Sequence, residues 1–131
     1  MNLVFICSPY RGNVEANTKV AKQIGYQASV CGYAPVIPHL MYPQFLDDND
    51  PAQRVRGLMM GRALLAKCDM LWIIGGRITK GMRYEINNAK KLFIPIRLYD
   101  SEGCRILKEA IEIDDRVSDE LREILEGAIL D

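Results

Sequence analysis

The chain has no excess charge of either sign, no cysteine pairing pattern and no long apolar run, and each absence removes a class of function. Seventeen basic residues balance seventeen acidic ones in 131. No global field therefore directs the protein toward nucleic acid, an anionic membrane or another polyanion, and any anion site has to be local. An apolar fraction of 49% suits a globular chain, yet no uninterrupted stretch approaches the ~20 residues that cross a bilayer. Cys7, Cys31, Cys68 and Cys104 lie far apart without C-x-x-C spacing, which disfavours zinc and a disulfide framework and makes buried free thiols the expectation. No metal or other cofactor is expected. A Gly-x-Gly-x-x-Gly turn, a P-loop lysine and a serine nucleophile elbow are also missing. Asn2-Leu3-Val4-Phe5-Ile6-Cys7 lacks the basic start and small-residue cleavage site of a signal peptide, so it reads as a first strand of a cytoplasmic protein. No repeat or low-complexity segment appears, and the length suits one domain over residues 1–131.

What the chain does have is a twice-used strand, loop and helix. The first strand ends in Ser8-Pro9-Tyr10-Arg11-Gly12-Asn13, where Pro and Gly break regularity and Asn13 can cap a helix running from Val14 to about Cys31. Further on, Met70-Leu71-Trp72-Ile73-Ile74 has no polar alternation and reads as a strand buried on both faces. Gly75 and Gly76 stop it, Thr79 can cap the next helix, and Gly81 permits close approach by a ligand. Such a turn offers unpaired N–H groups and a positive dipole end to an anion. Glu85 sits one turn inside that helix, roughly 60° from Met82 at about 100° per residue, on the flank of the stripe Met82, Ile86, Ala89. It either faces a cleft or serves as an exposed carboxylate complementing the helix dipole.

Between these units, Ala34 to His39 reads as a short strand flanked by prolines, followed by the aromatic loop Leu40 to Leu46. His39 is either a structural histidine or a site residue at that strand's end. Asp47, Asp48 and Asp50 precede a helix running to about Lys67, with Asp50 as N-cap, Pro51 first and Gln53 placed to close a capping box. The acidic cluster is open to capping and solvation or to ligand contact, since it lacks the glycine and terminal Glu of a calcium loop. The apolar face of this helix is read as Val55, Leu58, Met59, Ala63 and Leu64. Ile94 to Tyr99 is another strand, Arg105 to Ile113 is either helix or a returning edge strand, and Ser118 caps a last helix over Asp119 to about Leu130. Strands alternating with helices predict an α/β fold: a doubly wound, mostly parallel sheet of four to five strands with helices on both faces, flavodoxin- or Rossmann-like. Ligands of such sheets bind at the carboxyl ends of the strands beside a switch point, where the loops Ser8 to Asn13 and Gly75 to Gly81 both emerge.

Over roughly Asn2 to Tyr99 the chain resembles the nucleoside 2-deoxyribosyltransferase-like superfamily, and in places its 2′-deoxynucleoside 5′-monophosphate N-glycosidase branch. Thr79-x-Gly81-x-x-Tyr84-Glu85 is similar to that branch's hydroxyl-x-Gly-x-x-Tyr-Glu segment, which puts Glu85 at the nucleophile's position and Thr79 at that of a phosphate-contacting serine. Cys7-x-x-x-Arg11-Gly12 resembles the phosphate-binding turn, and His39 also matches. The resemblance implies a glutamate that attacks the anomeric carbon of a nucleoside or nucleotide, a small-molecule substrate, in a homodimer or higher homo-oligomer. The implied binding residues are Ser8, Tyr10, Arg11, Gly12, Asn13, His39, Gly75, Thr79 and Gly81. The family's second acid falls at Gly61, leaving Asp47, Asp48 and Asp50 as candidates for that role. A non-catalytic nucleotide-binding module with the same cleft is the alternative.

Overall fold

A computed structural model describes residues 1–131. Five strands, β1 (Leu3–Cys7), β2 (Ala34–Val36), β3 (Met70–Ile74), β4 (Ile96–Tyr99) and β5 (Arg105–Ile106), form one sheet in the order β2-β1-β3-β4-β5. The first four are parallel and β5 is antiparallel to β4. This is the predicted α/β class, and its order places the switch point between β1 and β3, from which connections leave to opposite sides. The alternating pleat sorts the side chains into two layers. Val4, Ile6, Met70, Trp72 and Ile74 pack with Ile24 and Ala28 of α1 (Val14–Val30) on one face. Phe5, Cys7, Leu71 and Ile73 pack on the other face with Met82, Ile86 and Ala89 of α4 (Lys80–Lys91) and with Leu121, Ile124 and Leu125, which start in α5 (Asp119–Ile124). All five residues of β3 are buried, as a central strand covered on both faces requires.

Several expectations need correction. The strand read over Ala34 to His39 ends at Val36, and His39 belongs to a single helical turn, α2 (Pro38–Met41), because Pro38 presets its first position. The aromatic loop continues as a tight 3₁₀ turn at Tyr42–Gln44, with Tyr42 buried and Phe45 exposed. In α3 (Pro51–Leu65), Asp50 occupies the N-cap position without a side-chain cap, and Gln53 accepts the amide of Asp47 instead of closing a capping box. The face of α3 is also rotated from the one expected. Val55, Met59 and Ala63 are exposed, and the inward residues are Gly57, Leu58, Gly61, Leu64 and Leu65. Arg105 to Ile113 resolves into the two-residue edge strand β5 and a 3₁₀ turn at Lys108–Ala110. The last helix stops at Ile124 because Gly127, at φ +79°, redirects the chain beside β4, where Leu130 bridges Ile96. Only Cys7 and Cys68 are buried thiols, whereas Cys31 ends α1 and Cys104 sits in a turn, both exposed.

No helix is long and apolar enough to cross a membrane.

Candidate functional site

The loops that leave β1 and β3 diverge at the switch point, and α2, α3 and α4 wall the space beside them into a cleft of about 350 Å³. Of the residues singled out in the sequence, the cleft brings together Ser8, Tyr10, Arg11, His39, Asp48, Thr79, Gly81 and Glu85. It does not include Gly12, Asn13, Gly75, Asp47 or Asp50. Asn13 caps α1 through the amide of Ala16, and Gly75 lines a smaller pocket on the other side of the loops. Gly75 has φ +92°, and its neighbour Gly76 passes so close to the Arg116 carbonyl that a Cβ there would lie 2.6 Å from it. The double glycine therefore builds the turn from outside the cleft.

At the far side of that turn, Thr79 Oγ1 accepts the amide of Met82 at 3.2 Å and fixes the start of α4. The first amides of the helix lack intrahelical acceptors and give this end of the cleft a positive bias. Glu85 follows one turn later. It keeps some surface on the cleft, but its carboxyl lies deep enough that burial raises its pKa from an ordinary 4.5 to about 8, against the lowering effect of a hydrogen bond from the Cys7 thiol. The same thiol lies 3.8 Å from the Met82 carbonyl. Burial first, and the neighbouring carboxyl second, push Cys7 well above its own ordinary value. Cys7 is therefore a neutral thiol beneath Glu85 and not a nucleophile.

Across the cleft, His39 Nε2 lies 3.1 Å from Ser8 Oγ, and its ring is tilted over Tyr10 at a centroid distance of 5.5 Å. Burial lowers its pKa from 6.5 to about 4, so the imidazole is neutral near pH 7 and offers a hydrogen bond without a charge. Ser8, His39 and Tyr10 form a small polar wall opposite α4.

The third corner is ionic. Asp48 Oδ2 receives Arg11 Nε at 2.6 Å, the Asp48 carbonyl receives Arg11 Nη2 at 2.6 Å, and Arg54 Nη1 reaches Oδ1 at 3.0 Å. One carboxylate shared by two guanidiniums ties the β1 loop to the start of α3. In this arrangement Asp48 holds the arginines in place, with both carboxylate oxygens engaged. Glu85 and Asp48 are the only acidic residues lining the cleft, against Arg11, Arg54, Arg62 and Lys80. No group of three His, Cys, Asp or Glu side chains could hold a metal ion.

Sequence reasoning passed over Arg54, Arg62, Lys80 and Asn88, all of which line the cleft, and quoted Tyr84 only as part of a motif. The signal for Asn88 was its spacing of three residues from Glu85, but the adjacent Asn87 obscured which amide turns inward; Asn88 is buried and Asn87 exposed.

Among solved structures, the chain is similar to a 2-deoxyribosyltransferase from Bacillus psychrosaccharolyticus, with TM-score 0.64 and 13% identity over 98% of this chain and 97% of the other. It is also similar to a conserved protein from Enterococcus faecalis V583, with TM-score 0.58 and 12% identity over 99% and 89% of the two chains. At such identities the likeness is one of fold: this chain has the α/β architecture of a 2-deoxyribosyltransferase. No curated protein matches it. Residues 2–99, which contain both loops and every cleft-lining residue, match the family described as DUF7768, a domain of unknown function, and the chain belongs to that family.

Proposed function

We propose that the protein is an N-glycosidase or deoxyribosyltransferase acting on a nucleoside or nucleotide, with Glu85 as nucleophile. The observation that carries this reading is a desolvated carboxyl one turn inside a helix whose capped N-terminus opens on the switch-point cleft. In the reaction, a Glu85 oxygen bonds to the anomeric carbon while the carbon–nitrogen bond breaks and its electron pair leaves with the base. Water or a second base then resolves the glycosyl ester. With a pKa of about 8, Glu85 holds a proton in the free protein at neutral pH and gives it to solvent water before attack. Positive charge developing at the anomeric carbon favours the ionised form.

The 5′-phosphorylated substrates of the N-glycosidase branch are the preferred class, because Arg11, Lys80 and the start of α4 all border the cleft and offer donors to an anion. Gly12 and Asn13, outside the cleft, contribute through the shape of the loop. The similarity in fold to a 2-deoxyribosyltransferase is consistent with the same chemistry. A cytoplasmic homodimer or higher homo-oligomer completes the proposal, the exposed Phe45, Val55 and Met59 being the apolar side chains that association would cover. Sedimentation as a 14.9 kDa monomer at micromolar concentration would exclude it.

The test is incubation with a panel of nucleosides and 5′-monophosphates, following free base by chromatography. Glu85→Gln is expected to abolish release while leaving nucleotide affinity within a few-fold, because the amide keeps the shape but forms no ester. A Glu85→Gln protein active at the normal rate overturns the proposal. One observation favours a second reading, a non-catalytic nucleotide-binding module: Asp48 is held by two arginines and Gly61 has no side chain, so no evident acid protonates the departing base. Binding without base release in the unmodified protein would select it.

A further inference from the structure

We propose that Asn88 recognises the nucleobase, donating a hydrogen bond to the acceptor that adjoins the glycosidic nitrogen. This rests on the proposed reading of the cleft as a nucleoside or nucleotide site. Two buried side-chain nitrogens in the protein have no hydrogen-bond partner, Trp72 Nε1 and Asn88 Nδ2. Trp72 is packed between the rings of Tyr33 and Tyr99, at 5.1 and 4.5 Å, and does not line this cleft. Asn88 is different: it is 5% exposed and lines the cleft, and a half-turn of its terminal amide would bring Nδ2, buried in this structure, to the cleft surface. A buried amide left unpaired is destabilising, and a ligand acceptor would recover that cost.

Position specifies which acceptor. Asn88 follows Glu85 by three residues on α4, so the two side chains share a face with their Cβ atoms about 5–6 Å apart. If Glu85 meets the anomeric carbon, the amide one turn along meets the next part of the ligand, the base. On the opposite wall, a Cβ built on Gly61 would meet nothing within 4 Å, so this stretch of α3 leaves a side-chain-sized space facing α4. A planar ring fits between a wall without side chains and an amide that lacks a partner. Every common nucleobase carries an acceptor beside its glycosidic nitrogen, N3 in purines and O2 in pyrimidines. Asn88 therefore reads the presence of a base more than its identity.

The same contact assists cleavage. When the carbon–nitrogen bond breaks, the pair moves into the ring and charge grows on N3 or O2. A fixed N–H donor binds that charge more tightly than the neutral base. Asn88 keeps its proton, and the base leaves as a stabilised anion that takes a proton from water.

Calorimetric titration tests the assignment with three probes: a 2′-deoxypurine 5′-monophosphate, its 3-deaza analogue, and 2-deoxyribose 5-phosphate. The protein is expected to bind the parent nucleotide about tenfold more tightly than the 3-deaza analogue. Asn88→Ala and Asn88→Leu are expected to lose that preference, weaken parent binding about tenfold and bind the sugar phosphate unchanged, with urea midpoints equal to or above the original. Equal affinity of the unmodified protein for parent and 3-deaza nucleotide overturns the assignment without need of any variant. Variants that keep the preference, or that lose nucleotide and sugar phosphate alike, also overturn it while leaving the cleft's proposed function standing. Failure of the unmodified protein to bind any of the three overturns that function, and this inference with it.

Discussion

The two helices that wall the cleft differ in almost every respect that matters to chemistry. Helix α4 begins with a side-chain cap at Thr79, buries Met82, Ile86 and Ala89 against the sheet, and turns Glu85 and Asn88 into the cleft. Helix α3 begins at Asp50 without a side-chain cap and contributes Gly57 and Gly61 where its neighbour contributes a carboxyl and an amide. Its charged cleft residues, Arg54 and Arg62, are cations, and Arg54 is engaged with Asp48. One wall is packed, capped and carries the carboxyl proposed as nucleophile; the other supplies room and positive charge. Under the proposed function the cleft would depend on α4 for the attack and on binding energy for the departure of the base.

The strongest way to break the asymmetry is to place an acid on α3. Gly61→Asp has space for its side chain, and general acid assistance is worth on the order of 10²–10⁴-fold. Base release is expected to rise by about a hundredfold, measured as kcat on a 5′-monophosphate. An unchanged or lower rate in a folded variant would show that departure of the base does not limit the reaction or that this wall does not face it.

Next in size is Arg11→Ala, which removes a charged donor from the part of the cleft proposed to hold phosphate. Charge-assisted hydrogen bonds contribute about 1.5–3 kcal/mol, so affinity for monophosphates should fall about ten- to a hundredfold while that for unphosphorylated nucleosides changes little. Equal losses for both ligands would mean that Arg11 acts only through its ion pair with Asp48.

Two of the perturbed titrations, those of Glu85 and His39, sit on opposite walls and act in opposite directions. The folded protein holds the Glu85 proton up to about pH 8, whereas the unfolded chain releases it near 4.5, so stability from this group falls as pH rises through that window. His39 refuses its proton down to about pH 4, whereas the unfolded chain accepts it near 6.5, so stability from this group falls as pH drops through that window. Between pH 6.5 and 8 only Glu85 contributes of the two. Urea unfolding is expected to show the unmodified protein losing stability across that interval and Glu85→Gln losing less. Parallel curves would contradict the burial assigned to Glu85.

The smallest effect concerns the helix starts. Thr79→Ala should cost about 1 kcal/mol by loss of the cap. Asp50→Ala should cost less, because no side-chain cap is lost there. Thermal or urea unfolding distinguishes the two.

The same contrast explains what was legible in the sequence. In α4 the inward residues are apolar, so the stripe Met82, Ile86, Ala89 could be read from spacing, and the flank position of Glu85 followed from it. In α3 the inward residues include glycines, which carry no hydrophobic signal. The exposed Val55 and Met59 supplied a false one, rotating the expected face and hiding Arg54 and Arg62. The strands and their parallel order were readable because β3 is uniformly apolar and each strand is followed by a break. The position of His39 was not, because Pro38 turns the chain into a helix one residue earlier. Asp48 could not be separated from Asp47 and Asp50 by spacing, since its partners Arg11 and Arg54 meet it only through the fold.

The most direct test of the account is mass spectrometry of protein quenched during turnover, or trapped with a 2-fluoro sugar analogue of a 5′-monophosphate. The account predicts a glycosyl adduct on the peptide containing Glu85, absent in Glu85→Gln. Base release without an adduct on that peptide, or with the adduct on another residue, would contradict it.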